Sequence, residues 1–172
     1  MSRFVNVSDF ENWKLKISKT CYQEDDLQAC IDKIETIYFQ DLVGCALWTL
    51  MVAEWDASAL PHSFTTQRYI DIYNAFCTDG DCGIERSAGI KEMLIHFIYF
   101  EYVRGQAFEN RTAGMTKTKS ENSDPASPNE HGLFTVYNEG IDTYWTIRKY
   151  ICDNIATYPE FKGIHKEKTS WL

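Results

Sequence analysis

The side chains here that could do chemistry are four histidines, six cysteines and twenty-five acidic residues. His62, His96, His131 and His165 fall in four different stretches, and none has a second His or a Cys at metal-ligand spacing. His96 follows an apolar helical run and reads as a hydrogen-bonded helix residue. Cys77 and Cys82 bracket a tight turn, but a zinc site needs two further ligands that the neighbouring sequence does not offer. Asp79 and Asp81 resemble the opening of a calcium loop. The glycine at its sixth position and the closing glutamate at its twelfth are missing, so the match fails. Glu24, Asp25 and Asp26 suit the first turn of a helix better than a general acid and base. Glu35 and Glu54 lack the Glu-x-x-His partner of a di-iron site. With no phosphate-cradling glycine loop, nucleophile elbow or HExxH motif, the expectation is a non-enzymatic protein with no metal and no cofactor.

The cysteines, at 21, 30, 45, 77, 82 and 152, form no CxxC and no repeated spacing. Without a secretion signal, they read as reduced thiols, with Cys30 and Cys45 as small hydrophobes inside apolar helical patterns. The chain has 172 residues, enough for one domain with a real core. Seventeen basic against 25 acidic residues give a formal charge of −8, which disfavours gripping nucleic acid through its phosphates. Aromatics make up 15% of the chain, the residue class that carries protein–protein contacts. No apolar run approaches the length of a membrane span, and none is expected.

These residues must be positioned by helices, because the apolar period is helical almost everywhere. Ser8 and Glu11 have capping-box spacing ahead of a short segment, Asp9 to Ile17. A second helix begins near Asp25 with Leu27, Cys30, Ile31, Ile34, Tyr38 and Leu42 in register, bends at Gly44 and continues through Ala53. Thr65 or Thr66 caps a short helix holding Tyr69, Ile72, Tyr73 and Phe76. Cys77 to Gly83 is a turn cluster. The longest clean helix is expected over 87–106. A polar stretch at 105–130 then carries Gly105, Gly114, Pro125 and Pro128, and within it Met115-Thr-Lys-Thr-Lys alternates like a strand. Helix resumes near Asn129, with Tyr137, Ile141, Tyr144, Arg148, Ile151 and Ile155 on one face. Pro159 stops it. The expected architecture is an all-α helical bundle, residues 1–158, with a long polar arm or hairpin at 105–130 between the last two long helices. An extended C-terminal tail, 159–172, follows.

The helix end and the arm are the most informative segment. Arg104 emerges where a cation suits the helix dipole and can pair with an acid on another chain. The succession Leu27, Glu35, Asp41-Leu-Val-Gly44, Phe97-Ile-Tyr-Phe-Glu-Tyr-Val-Arg104, Asn110, Gly114, Glu121-Asn-Ser123 and Tyr137-Asn-Glu-Gly-Ile141 resembles helical head–tail connector proteins of tailed bacteriophages. It is most like those of crAss-like and other Bacteroidetes-infecting phages, over roughly residues 5–155. The resemblance implies a structural virion protein. It would form a ring, commonly twelve-fold, that joins capsid to tail below the portal protein and contacts the next tail or connector ring. Double-stranded DNA would pass non-specifically through its channel. The implied place is the head–tail interface of the virion, after a stay in the host cytoplasm during assembly. Arg104, Asn110, Gly114, Met115, Glu121, Asn122 and Ser123 are then the expected interface residues, and Trp171 the expected tail anchor. The alternative is a small cytosolic helical adaptor that binds one protein partner.

Overall fold

A computed structural model describes residues 4–11, 14, 17, 24–58, 62–80, 83–106, 108–111, 114–117 and 132–163. The chain is mostly helical. A single 3-10 turn, Val7–Phe10, precedes α1 (Glu24–Ala57), α2 (Gln67–Tyr73), α3 (Gly89–Gln106) and α4 (Leu133–Asp153). Strands β1 (Phe76–Gly80) and β2 (Gly83–Ser87) lie between α2 and α3, and β3 (Phe108–Arg111) and β4 (Gly114–Lys117) between α3 and α4.

The all-α expectation holds in outline, and the local turn-cluster reading is corrected to a short strand pair. Phe76–Gly80 and Gly83–Ser87 pair antiparallel, with Cys77 opposite Arg86, Thr78 opposite Glu85 and Gly80 opposite Gly83. Strand formers Phe76, Thr78 and Ile84 flank a two-residue connection bounded by glycines, the length that favours a hairpin over an open loop. Its short alternation was hidden by the Asp and Gly residues, which read as loop. α3 begins two residues after Ser87, whose hydroxyl accepts the Gly89 N–H at 3.1 Å.

α3 is central. Ile90, Met93 to Ile98, Phe100 and Tyr102 are buried on all sides of it, and it packs against both α1 and α4. α4 runs antiparallel to α3: His96 meets Glu139, Phe97 meets Tyr137 and Phe100 meets Phe134. At Gly140 a side chain would lie 3.1 Å from the His96 Cβ and the Phe97 ring, so glycine lets the two helices close up. α1 leaves the helical region at Gly44 (φ 79, ψ 160), the expected bend. Its buried residues Leu27, Ile31, Phe39, Leu42, Val43, Leu47 and Met51 are fully enclosed. Each such side chain stabilises the fold by about 1.5–3 kcal/mol.

Among the described residues α1 also has the length and composition to cross a membrane, with an 18-residue window of mean hydropathy 1.3. Every such window that escapes the acidic first turn includes Gly44, where the backbone breaks. A break in hydrocarbon would leave peptide groups unsatisfied, whereas here the same stretch buries Leu42, Val43, Leu47 and Met51 in the protein core.

One end of the molecule is an aromatic cluster. Phe4 lies 4.8 Å from Trp55, 4.9 Å from Phe39 and 6.0 Å from Phe64, and Tyr73 lies 5.1 Å from Phe64. The Glu35 carboxylate, buried in mid-α1, accepts the N–H groups of Phe4 and Val5, both at 3.0 Å. Thr66 stands at the N-cap of α2 as expected, but its side chain makes no cap bond and instead binds a carboxylate from α1. Glu54 accepts the Thr65 and Thr66 N–H groups at 2.6 and 2.8 Å and both hydroxyls at 3.1 and 2.6 Å.

The expected boundary at 158/159 falls inside the packed body. Tyr158 and Phe161 are buried, Glu160 forms a two-pronged ion pair with Arg68 (2.8 and 3.1 Å), and the Tyr158 hydroxyl donates to the Arg68 carbonyl at 2.7 Å. Pro159 does not end α4 either, which stops at Asp153, before a series of turns. Burial also corrects the thiols: Cys45, Cys77 and Cys152 are exposed and Cys30 is half-buried, all four unbonded. Cys45 sits in an apolar run but on the outer side of α1.

Candidate interaction surface

Opposite the aromatic cluster, α3 runs out toward the hairpin β3–β4. Three side chains hold its last turns. The Arg104 guanidinium donates to the Glu101 carboxylate at 2.5 Å and lies 5.3 Å over the Phe100 ring. Glu101 accepts the Tyr38 hydroxyl at 3.1 Å, and the Tyr38 ring stacks on Phe97 at 4.2 Å. Arg104, expected to await an acid on another chain, therefore has one three residues back on its own helix, with its side chain 49% exposed. That spacing is the ordinary helical neighbour distance, so the pair was legible in the sequence.

Burial pushes the Tyr38 hydroxyl far above the ordinary tyrosine range, and the Glu101 charge adds to the shift. Tyr137 is raised by the same two causes in the same order. Burial, again with Glu101, lifts the Cys30 thiol to about 11. At neutral pH these groups are uncharged, a state suited to anchoring helices and poor for nucleophilic or base chemistry.

Beyond Gln106 the backbone pairs Phe108 with Lys117, Glu109 with Thr116, Asn110 with Met115 and Arg111 with Gly114. Three of the expected interface residues, Asn110, Gly114 and Met115, are thus brought together on one hairpin, on the chain side of Arg104. Glu121, Asn122, Ser123 and Trp171 lie outside the described residues.

His96 is buried on α3, as a hydrogen-bonded helix residue should be. Nδ1 faces the Glu92 carbonyl at 2.7 Å and Nε2 the Glu139 carboxylate at 3.0 Å. Both neighbours are acceptors, so both contacts become hydrogen bonds when the ring carries two protons. Glu139 also takes an ion pair from Lys14; that bond first, and His96 after it, hold its carboxyl below the usual range. Among the described residues no three His, Cys, Asp or Glu side chains converge as metal ligands. A cleft of about 420 Å³ between the 3-10 turn and the start of α3, lined by Ser8, Tyr73, Asn74 and Glu92, is crossed by the Lys91–Asp9 ion pair at 2.9 Å.

The residues that sequence reasoning missed are on α4 and β2. Arg148 was placed with the buried face of α4, yet it is only half-buried and lies 4.7 Å over the ring of Trp145, itself 36% exposed. Ile155, placed on that face too, is 48% exposed, and Ile84 on β2 is 62% exposed. The Trp145-x-x-Arg148 spacing, one helical turn on the outer side of the Tyr144–Ile147 stripe, was the available signal. Comparison with protein-family models, with curated proteins and with solved structures found no match.

Proposed function

We propose that this chain is a structural component of a tailed-phage particle. In this reading it is a helical bundle with a projecting arm that assembles as a homo-oligomeric ring, commonly twelve-fold, between the portal protein and the next tail or connector ring. The observation that carries the reading is the end of α3. Its aromatic helix passes through Arg104 into a two-stranded hairpin that bears Asn110, Gly114 and Met115. A hairpin of two short strands is marginal alone and gains stability by pairing or packing, so an arm built this way suits contact with a neighbour. The acidic charge supports the same role, because a lumen walled by like charge repels phosphates and lets duplex DNA slide. The uncharged Tyr38, Tyr137 and Cys30 add nothing catalytic to the arm's base.

The test is quantitative peptide mass spectrometry on purified virions of the source phage, with a deletion of residues 107–128 beside it. About one copy per portal subunit, and loss of particles from the deletion while the isolated chain stays helical, is the expected result. Absence of the chain from particles would sink the reading.

A further inference from the structure

The β1–β2 hairpin turns one face to the body and leaves both of its edges open. Phe76 meets the Tyr150 ring at 4.8 Å and Glu85 pairs with Lys149, so α4 covers the inner face. The alternate side chains, Cys77, Asp79, Ile84 and Arg86, are all exposed. No third strand joins the pair among the described residues. The two-residue connection makes Gly80–Gly83, Thr78–Glu85 and Phe76–Ser87 the hydrogen-bonded pairs. The N–H and C=O groups of Cys77 and Asp79 on β1, and of Ile84 and Arg86 on β2, therefore point away from the partner strand. None has a backbone partner elsewhere among the described residues, and the Asp79 carbonyl has only the Thr78 hydroxyl, at 3.4 Å. Asp79 and Arg86 stand diagonally across the hairpin and form no ion pair there.

We propose that the open β1 edge of one copy pairs antiparallel with the open β2 edge of a second copy, with Asp79 directly opposite Arg86. This contact rests on the ring reading above and names two surfaces that join its subunits. In the hairpin itself Asp79 faces Ile84, so the new register is shifted by two residues, a shift that keeps every side chain on its own face. It turns a diagonal pair of opposite charges into a directly opposed one, the arrangement that stabilises neighbouring strands. It also gives the outward N–H and C=O groups of both strands their complements, as in strand addition to a sheet edge. The occupant is a second copy because the β2 edge of this same chain supplies what the β1 edge lacks, a cation beside unpaired backbone groups. Pairing β1 with β1 would set no cation opposite Asp79 and would stop at a dimer. The two edges differ, so the contact is heterologous and can propagate around a ring.

Sedimentation velocity over a concentration series tests the contact with three variants: Asp79→Arg, Arg86→Asp, and both exchanged in one chain. Each single reversal sets like charges against each other and is expected to weaken self-association roughly fivefold or more. The exchanged chain restores opposite charges and should recover most of the loss. Circular dichroism checks the fold of each variant. Asp79→Asn or Arg86→Gln replaces a reversal that disturbs it, with a smaller loss expected. Wild-type-like assembly of both single variants overturns the contact, as does an exchanged chain that fails to recover or a wild-type chain that stops at a dimer. A wild-type chain that stays monomeric throughout overturns the ring reading and the contact with it.

Discussion

The two ends of this molecule are built on opposite plans. At one, the N-terminal segment, the end of α1, α2, the start of α3 and the C-terminal turns converge on the rings of Phe4, Phe39, Trp55, Phe64 and Tyr73. Buried Glu35 and the Glu54 carboxylate pin backbone groups around them, and Glu160 holds the Arg68 guanidinium. At the other, the acidic start of α1 and the end of α3 are exposed, and the half-exposed Glu101–Arg104 pair ties the last turns of α3. The closed end spends its polar groups on its own backbone. At the open end Glu24, Asp25, Asp26 and Arg104 are exposed to solvent. Substitutions at the two ends should therefore read out differently in stability.

The largest effect belongs to Gly89. A methyl there would lie 2.5 Å from the Tyr73 carbonyl oxygen and 2.6 Å from the Asn74 carbonyl carbon, at a φ of +89. Backbone atoms cannot swing aside, so Gly89→Ala should cost about 3 kcal/mol or more, seen as a large drop in the urea midpoint. Next comes Glu35→Ala, which strips the acceptor from two enclosed N–H groups. A loss of about 3 kcal/mol is expected, with Glu35→Gln recovering more than half of it. Gly140→Ala, where the neighbours are side-chain atoms with some freedom, should cost about 1–2 kcal/mol by the same measurement.

Acid should weaken the closed end first. Burial raises the Glu54 carboxyl, but the Thr66 and Thr65 hydrogen bonds outweigh it and the net direction is down. The Glu160 carboxyl is lowered chiefly by Arg68. Both groups sit below the usual value of 4.5 in the folded chain, so their stabilisation is complete above that pH. It drains away as the pH falls through their folded values. Stability measured from pH 6 to about 3 should decline, and Glu54→Gln should flatten part of the slope. The smallest effect is expected at the open end, where Arg104→Ala should change stability by less than about 0.5 kcal/mol. A loss as large as that of Glu35→Ala would erase the distinction between the ends.

Much of the helical frame was legible in the residues. Leu27, Ile31, Ile34, Tyr38 and Leu42 mark the inward face of α1 by period alone, and Gly44 marks its break because only glycine reaches that backbone region without strain. What escaped depended on partners distant in sequence. Glu54 holds the Thr65 and Thr66 backbone eleven and twelve residues further on, and Glu160 reaches Arg68 across 92 positions, so no local pattern points to either. The β1–β2 hairpin escaped because glycines and aspartates outweighed two short strand signals. Of the interaction surface, Arg104 stood out for its place at a helix end, while Arg148 was absorbed into a neighbouring apolar stripe one position away.

The placement of Phe4 and Phe161 in the same packed region has a practical consequence for orientation. Phe4 reaches Tyr73 and Tyr158 reaches Arg68, the two ends of one short helix, so these two segments share a single pole of the molecule. A gold particle coupled beside Phe4 or beside Phe161 would mark the same end of the molecule, and one on the β3–β4 hairpin would mark the other. Two labelled images would then fix which way the protein points along the axis of any assembly that contains it.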